Sequence, residues 1–88
     1  MLFFVCFKIA TGKFKEVIEL ASRWLASPPP GFKVLRTYYT LGRYDAIWIL
    51  EAPNEKEVLK QLVVMRDVAT TETWAAISRE EALKLMKK

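Results

Sequence analysis

Leu2 to Ile9 is a short apolar run in which both alternating rows are greasy. Phe3, Val5, Phe7 and Ile9 form one row; Leu2, Phe4 and Cys6 form the other. The run's length and its Phe and Val content predict a strand, and apolar residues on both sides mark a central one. From Lys13 the period changes. Phe14, Val17, Ile18, Ala21, Trp24 and Leu25 recur at helical spacing, which predicts an amphipathic helix with Thr11 as its N-cap and Ser27 as its last residue. Pro28-Pro29-Pro30-Gly31 stops it, because prolines remove donors and push the preceding residue out of the helical region.

Two β-prone segments follow, Lys33 to Leu41 and Tyr44 to Glu51, separated by Gly42-Arg43. This spacing predicts a hairpin with a two-residue type II′ turn, glycine supplying the positive φ. Ala52-Pro53-Asn54 ends the second strand, and Asn54 with Glu57 resembles a capping box. Val58, Leu59, Leu62 and Met65 give a second helix its apolar stripe. Val68 to Ile77 reads as a fourth strand, and Ser78 with Glu81 starts a short helix carrying Ala82, Leu83 and Leu85. The fold class is therefore α+β, in ferredoxin-like βαββαβ order with an extra C-terminal helix. Right-handed crossovers put both long helices on one face of a four-stranded antiparallel sheet. Residues 1–88 read as one domain, with no internal repeat.

Two helices cover one sheet face only. With a two-residue turn, Leu35, Thr37, Tyr39 and Leu41 share a face with Tyr44, Ala46, Trp48 and Leu50. Val34, Arg36, Tyr38 and Thr40 share the other with Asp45, Ile47, Ile49 and Glu51. The first set is the better helix-facing core. The second still carries large apolar side chains, each worth about 1.5–3 kcal/mol when buried. A patch of that kind marks an interaction surface, and the expectation is a homodimer packed sheet to sheet.

Composition narrows the chemistry. At 52% hydrophobic residues, three of them Trp, the chain has material for a core. There is no histidine, which removes the commonest general base and the usual zinc and haem-iron ligand. The expectation is no metal and no cofactor. The single Cys6 lies inside an apolar run and reads as a buried small hydrophobe. Net charge is +4, but the basic residues are scattered. The local group Lys84, Lys87 and Lys88 suits the end of a helix, where cations offset the macrodipole. No helix-turn-helix or RNA-binding aromatic motif accompanies the charge, so no nucleic-acid partner is expected. The opening MLFFVCFK lacks a basic start and a cleavage site, and no run approaches the ~20 apolar residues of a membrane span. The reading is a soluble, cytoplasmic protein without a membrane partner.

Thr40-Leu41-Gly42-Arg43-Tyr44-Asp45, the later Glu51-Ala52-Pro53-Asn54 and Thr71-Glu72-Thr73 resemble the GYD-domain family. The Gly-x-Tyr-Asp turn, with Val68, Thr71 and Thr73, is also similar to the ligand-binding domain of Lrp/AsnC-type regulators. The resemblance covers Lys33 to Ile77. It implies the dimeric α/β-barrel superfamily, in which two ferredoxin-like domains pack sheet to sheet, and a stand-alone effector module, since the DNA-binding helix-turn-helix of full-length Lrp-type proteins has no counterpart here.

The residues with chemical potential sit in two groups. Arg43, Tyr44 and Asp45 lie at the hairpin tip. Structurally, an Asp beside a turn accepts backbone N–H bonds and a Tyr packs its ring; functionally, the resemblance implies an effector near such turns. Arg36, Tyr38 and Glu51 share the open face with Asp45. They read either as rim ion pairs or as a polar pocket in which Arg36 takes a ligand carboxylate. Glu72 is an exposed strand residue or a general base, and Trp24, Trp48 and Trp74 are packing or an aromatic pocket. Three functions follow: a homodimeric small-molecule-binding or regulatory module, which is favoured; a cofactor-free isomerase or monooxygenase whose pocket lies between sheet and helices and is lined by Tyr39, Tyr44 or Trp48; and a structural assembly partner.

Overall fold

The computed structural model describes residues 1–87. Its elements run β1 (Leu2–Ile9), α1 (Phe14–Ala26), β2 (Lys33–Tyr39), β3 (Ala46–Glu51), α2 (Glu55–Leu62), a 3₁₀ turn (Val63–Met65), β4 (Ala69–Ala76) and α3 (Arg79–Met86). The strands form one sheet in the order β2-β3-β1-β4, with every neighbour antiparallel. This is the α+β, ferredoxin-like arrangement with a third helix at the C-terminal end. β1 is central, as its two apolar rows require: it pairs with β3 on one side and β4 on the other.

The core lies between the sheet and helices α1 and α2. Phe3, Val5 and Phe7 from β1 pack with Ala46 and Leu50 from β3, Val17 from α1, and Val58 and Met65 from the α2 region. Phe3 is completely buried. Pro53 closes one end, lying so near Gly31 that a Cβ there would meet the ring at 2.7 Å; Gly31 also has a positive φ.

The caps divide. Asn54 Oδ1 accepts the Glu57 N–H at 3.0 Å, and Ser78 Oγ accepts that of Glu81 at 3.1 Å, as the two capping signals predict. Thr11 does not cap α1. The N-cap position is Lys13, without a side-chain cap bond, because Gly12 at φ +79 turns the chain first.

Three further expectations change. The hairpin is not a two-residue turn: the strands stop at Tyr39 and start again at Ala46, and Leu41 is fully exposed. The pairing register is nonetheless the expected one, with Tyr39 opposite Ala46 and Thr37 opposite Trp48. Second, a bulge between Val34 and Arg36 shifts the register, so Val34 faces Leu50 and packs against the core. Third, Leu59 projects outward from α2 and is largely exposed; Val58 and Leu62 carry the buried stripe. Of the expected basic tail, Lys84 occupies the last turn of α3, while Lys88 lies outside the described residues. No helix among those residues is long and apolar enough to cross a membrane.

Candidate functional site

The sheet face opposite the helices is crossed by three rungs fixed by the strand register. Tyr38, Ile47, Cys6 and Glu72 form one, and Arg36, Ile49, Phe4 and Trp74 the next. Lys33, Glu51, Leu2 and Ala76 form the third. The middle two strands supply Ile47, Cys6, Ile49, Phe4 and Leu2, an apolar stripe flanked by polar and aromatic side chains on the edge strands. Leu2, Phe4, Ile47 and Ile49 are partly buried in it, and Cys6 is buried. Tyr38 is 51% exposed and Trp74 50%.

At one end of this face a carboxylate is held by two donors. Glu72 accepts the Tyr44 hydroxyl proton at one oxygen and the Trp74 indole N–H, at 2.8 Å, at the other. These hydrogen bonds, Tyr44's first, hold the Glu72 carboxyl below its usual range, and the Arg43 charge adds to the effect. The same bond pushes the Tyr44 phenol above its usual range. Arg43 lies over the Tyr44 ring with its guanidinium carbon 5.9 Å from the centroid. Cys6, between Ile47 and Glu72 on the first rung, is 1% exposed. Burial, followed by the Glu72 charge, pushes its thiol up, so it is not poised as a nucleophile.

The other expected site residues are dispersed. Asp45 Oδ2 accepts the Ile9 N–H at 2.7 Å and lies 3.7 Å from Lys8 Nζ. Arg36 folds back to donate to the Leu35 carbonyl at 2.7 Å, and Glu51 lies a rung away, opposite Lys33 and Leu2. Tyr38 stands on the open face beside Ile47. The structure therefore brings Arg43 and Tyr44 together with Glu72 and Trp74, and leaves Arg36, Tyr38 and Glu51 spread along β2 and β3.

A second feature lies on the helix side of the sheet, a cavity of about 330 Å³ beneath α1 and α2. Trp24 and Trp48 line it with their ring centroids 5.8 Å apart, and Phe7 and Phe32 stand beside them. Tyr39 and Trp48 line it as expected, whereas Tyr44 belongs to the opposite face. Trp74 is likewise on the opposite face, so the three Trp do not form one pocket. Gln61 Oε1 accepts the Trp24 indole N–H at 2.9 Å. Sequence reasoning missed Gln61 and the Glu72–Trp74 pair; the i, i+2 spacing of Glu72 and Trp74 on a strand was the available signal. No group of His, Cys, Asp or Glu among the described residues is placed to hold a metal ion.

The fold and its uncovered face define a ferredoxin-like α+β module with an exposed, partly aromatic sheet. The chain belongs to the GYD domain family, whose model matches residues 14–86, a longer stretch than the motifs alone cover. It is 31% identical to FFRP-DM1, known from a crystal structure, over 86% of this chain and 97% of that one, with a TM-score of 0.58. A hypothetical protein from Pyrococcus horikoshii is 27% identical over 90% of this chain and 94% of its own, also at 0.58. An AsnC family transcriptional regulator from Agrobacterium tumefaciens shares the fold at a TM-score of 0.64 and 15% identity. The match covers 89% of this chain but only 50% of that one, so the chain spans half the length of such a regulator. No curated protein matches the chain.

Proposed function

We propose that this chain is a homodimeric, non-catalytic small-molecule-binding or regulatory module assembled sheet to sheet. The observation that carries the reading is the second sheet face, where Phe4, Ile47 and Ile49 are only partly buried and Trp74 and Tyr38 are half exposed beside Arg36. Exposure of that many large apolar groups is unfavourable, and a second copy of the same face is its simplest cover. The likeness to one part of an AsnC family transcriptional regulator supports a regulatory role. The ligand site of this reading lies where two sheets meet, drawing on Arg36, Tyr38, Arg43, Tyr44 and Glu51, with Asp45 holding the hairpin loop in place.

A second reading, a cofactor-free isomerase or monooxygenase, takes its support from the cavity lined by Tyr39 and Trp48. Among the described residues no carboxylate, histidine or thiol lines that cavity, and the Tyr39 hydroxyl is the one group there of a type that moves protons. Binding is the better reading.

Sedimentation at micromolar concentration tests the proposal. Two-subunit mass is expected for the native chain and one-subunit mass for Ile49→Glu; a native monomer overturns it. A thermal-shift screen with amino acids then finds the interface ligand, because a compound that binds only the assembled state raises the melting temperature of the native chain and not of the variant.

A further inference from the structure

The cavity beneath α1 and α2 lies within one chain and on the opposite side of the sheet from the proposed interface. We propose that it is a binding site for a small organic acid, a carboxylate carried on a flat or branched hydrocarbon body. The inference goes beyond the interface reading, since it needs no second subunit.

Three observations carry it. The volume, about 330 Å³, falls at the small end of the range of roughly 300–1,000 Å³ for small-molecule sites. That suits one ring or a fused pair. The walls are apolar and aromatic, and Trp24, Trp48, Phe7 and Phe32 offer tilted ring faces against which a flat body packs at favourable geometry. Finally, among the described residues Arg23 is the only charged side chain lining the cavity; it is exposed and makes no salt bridge to another described residue. The remaining polar amide, Gln61, has its oxygen engaged by Trp24. A ligand that fills the apolar volume therefore meets one free cation, whose planar fork matches a carboxylate.

The test uses the full chain in a Trp74→Phe background, so that tryptophan fluorescence reports Trp24 and Trp48 alone. Phenylacetate is the probe and phenylacetamide its uncharged match. Phenylacetate is expected to change the fluorescence saturably at one molecule per chain. The amide should bind about tenfold more weakly, the size of one lost charge-assisted contact. Arg23→Gln should erase that preference, and Ala21→Phe, which fills the cavity from α1, should abolish both responses. Val17→Phe serves if the first filling variant fails to fold by circular dichroism. In Ile49→Glu the binding should persist, whatever the outcome for dimerisation. No saturation at millimolar phenylacetate, equal binding of acid and amide, or undiminished binding in a folded cavity-filling variant overturns the proposal. Loss of binding in a folded Ile49→Glu monomer also overturns it and moves the acid to the subunit interface.

Discussion

Asp45 Oδ2 accepts the backbone N–H of Ile9 at 2.7 Å, which ties the hairpin loop to the end of the central strand across 36 positions of sequence. The loop's own backbone continues the link, since Asp45 N–H donates to the Phe7 carbonyl at 2.8 Å and Thr40 N–H to the Asp45 carbonyl at 2.9 Å. The Lys8 ion pair at 3.7 Å is exposed and adds little. Asp45→Ala is therefore expected to cost about 1.5 kcal/mol, the value of a hydrogen bond to a charged acceptor. Asp45→Asn should keep most of it, because an amide oxygen also accepts. Urea denaturation of the two variants checks this; equal losses would contradict the assignment.

The Tyr44–Glu72 bond makes stability depend on pH at both ends of the scale. The Glu72 carboxyl is lowered in the folded chain, so its contribution is present above the ordinary carboxylate range and is lost as pH falls through it. The Tyr44 phenol is raised, so its contribution is present below the ordinary tyrosine range and is lost as pH rises beyond it. The native melting temperature is expected to fall more steeply than that of Glu72→Gln from about pH 5 to about pH 3. A spectrophotometric titration should show a phenol ionising above the usual tyrosine range, absent in Tyr44→Phe.

Adjacent phenylalanines separate folding from association. Phe3 is fully buried on the helix side, and Phe3→Ala is expected to cost about 3–5 kcal/mol at any protein concentration. Phe4 faces the open side beside Ile49 and Trp74. On the proposed dimer, Phe4→Ala should cost the monomer less than Phe3→Ala, since Phe4 is only partly buried, and should flatten the dependence of the melting temperature on concentration that the native chain shows. Melting curves over a hundredfold dilution series, the span needed to see a mass-action shift of a few kcal/mol, distinguish the two.

The two working caps should differ in reach. α2 places Val58 in the core, so loss of the Asn54 cap in Asn54→Ala is expected to lower global stability by about 1 kcal/mol. α3 buries no residue, so Ser78→Ala should fray that helix alone. Amide exchange resolves the two: protection falls across the sheet in the first variant and only in the last helix in the second.

Much of this architecture was legible in the chain because it rests on local period. β1 announced itself by two apolar rows, and α1 by a stripe ending at three prolines. The hairpin register followed from counting outward from Gly42-Arg43, and it survived although the loop opened to include Thr40 and Asp45, because those residues still bond across it. The bulge was not legible. Val34 and Leu35 are both apolar, so either could point inward, and alternation gives no preference between them. The Tyr44–Glu72 contact was hidden for another reason: it spans 28 positions, and Tyr44 leaves strand geometry just before β3. Strand alternation would have put Tyr44 with Ala46 on the helix side. The cavity is a mismatch of volumes among elements distant in sequence, which no single-segment pattern records.

The Val34–Arg36 irregularity interrupts one margin of the sheet, since β2 is an outermost strand. Endless stacking of strands from molecule to molecule needs two straight margins, and this sheet has only β4 to offer. If two β4 margins meet across a two-fold axis, both are consumed and growth halts. The irregularity thereby works against fibre-like growth of the sheet from molecule to molecule.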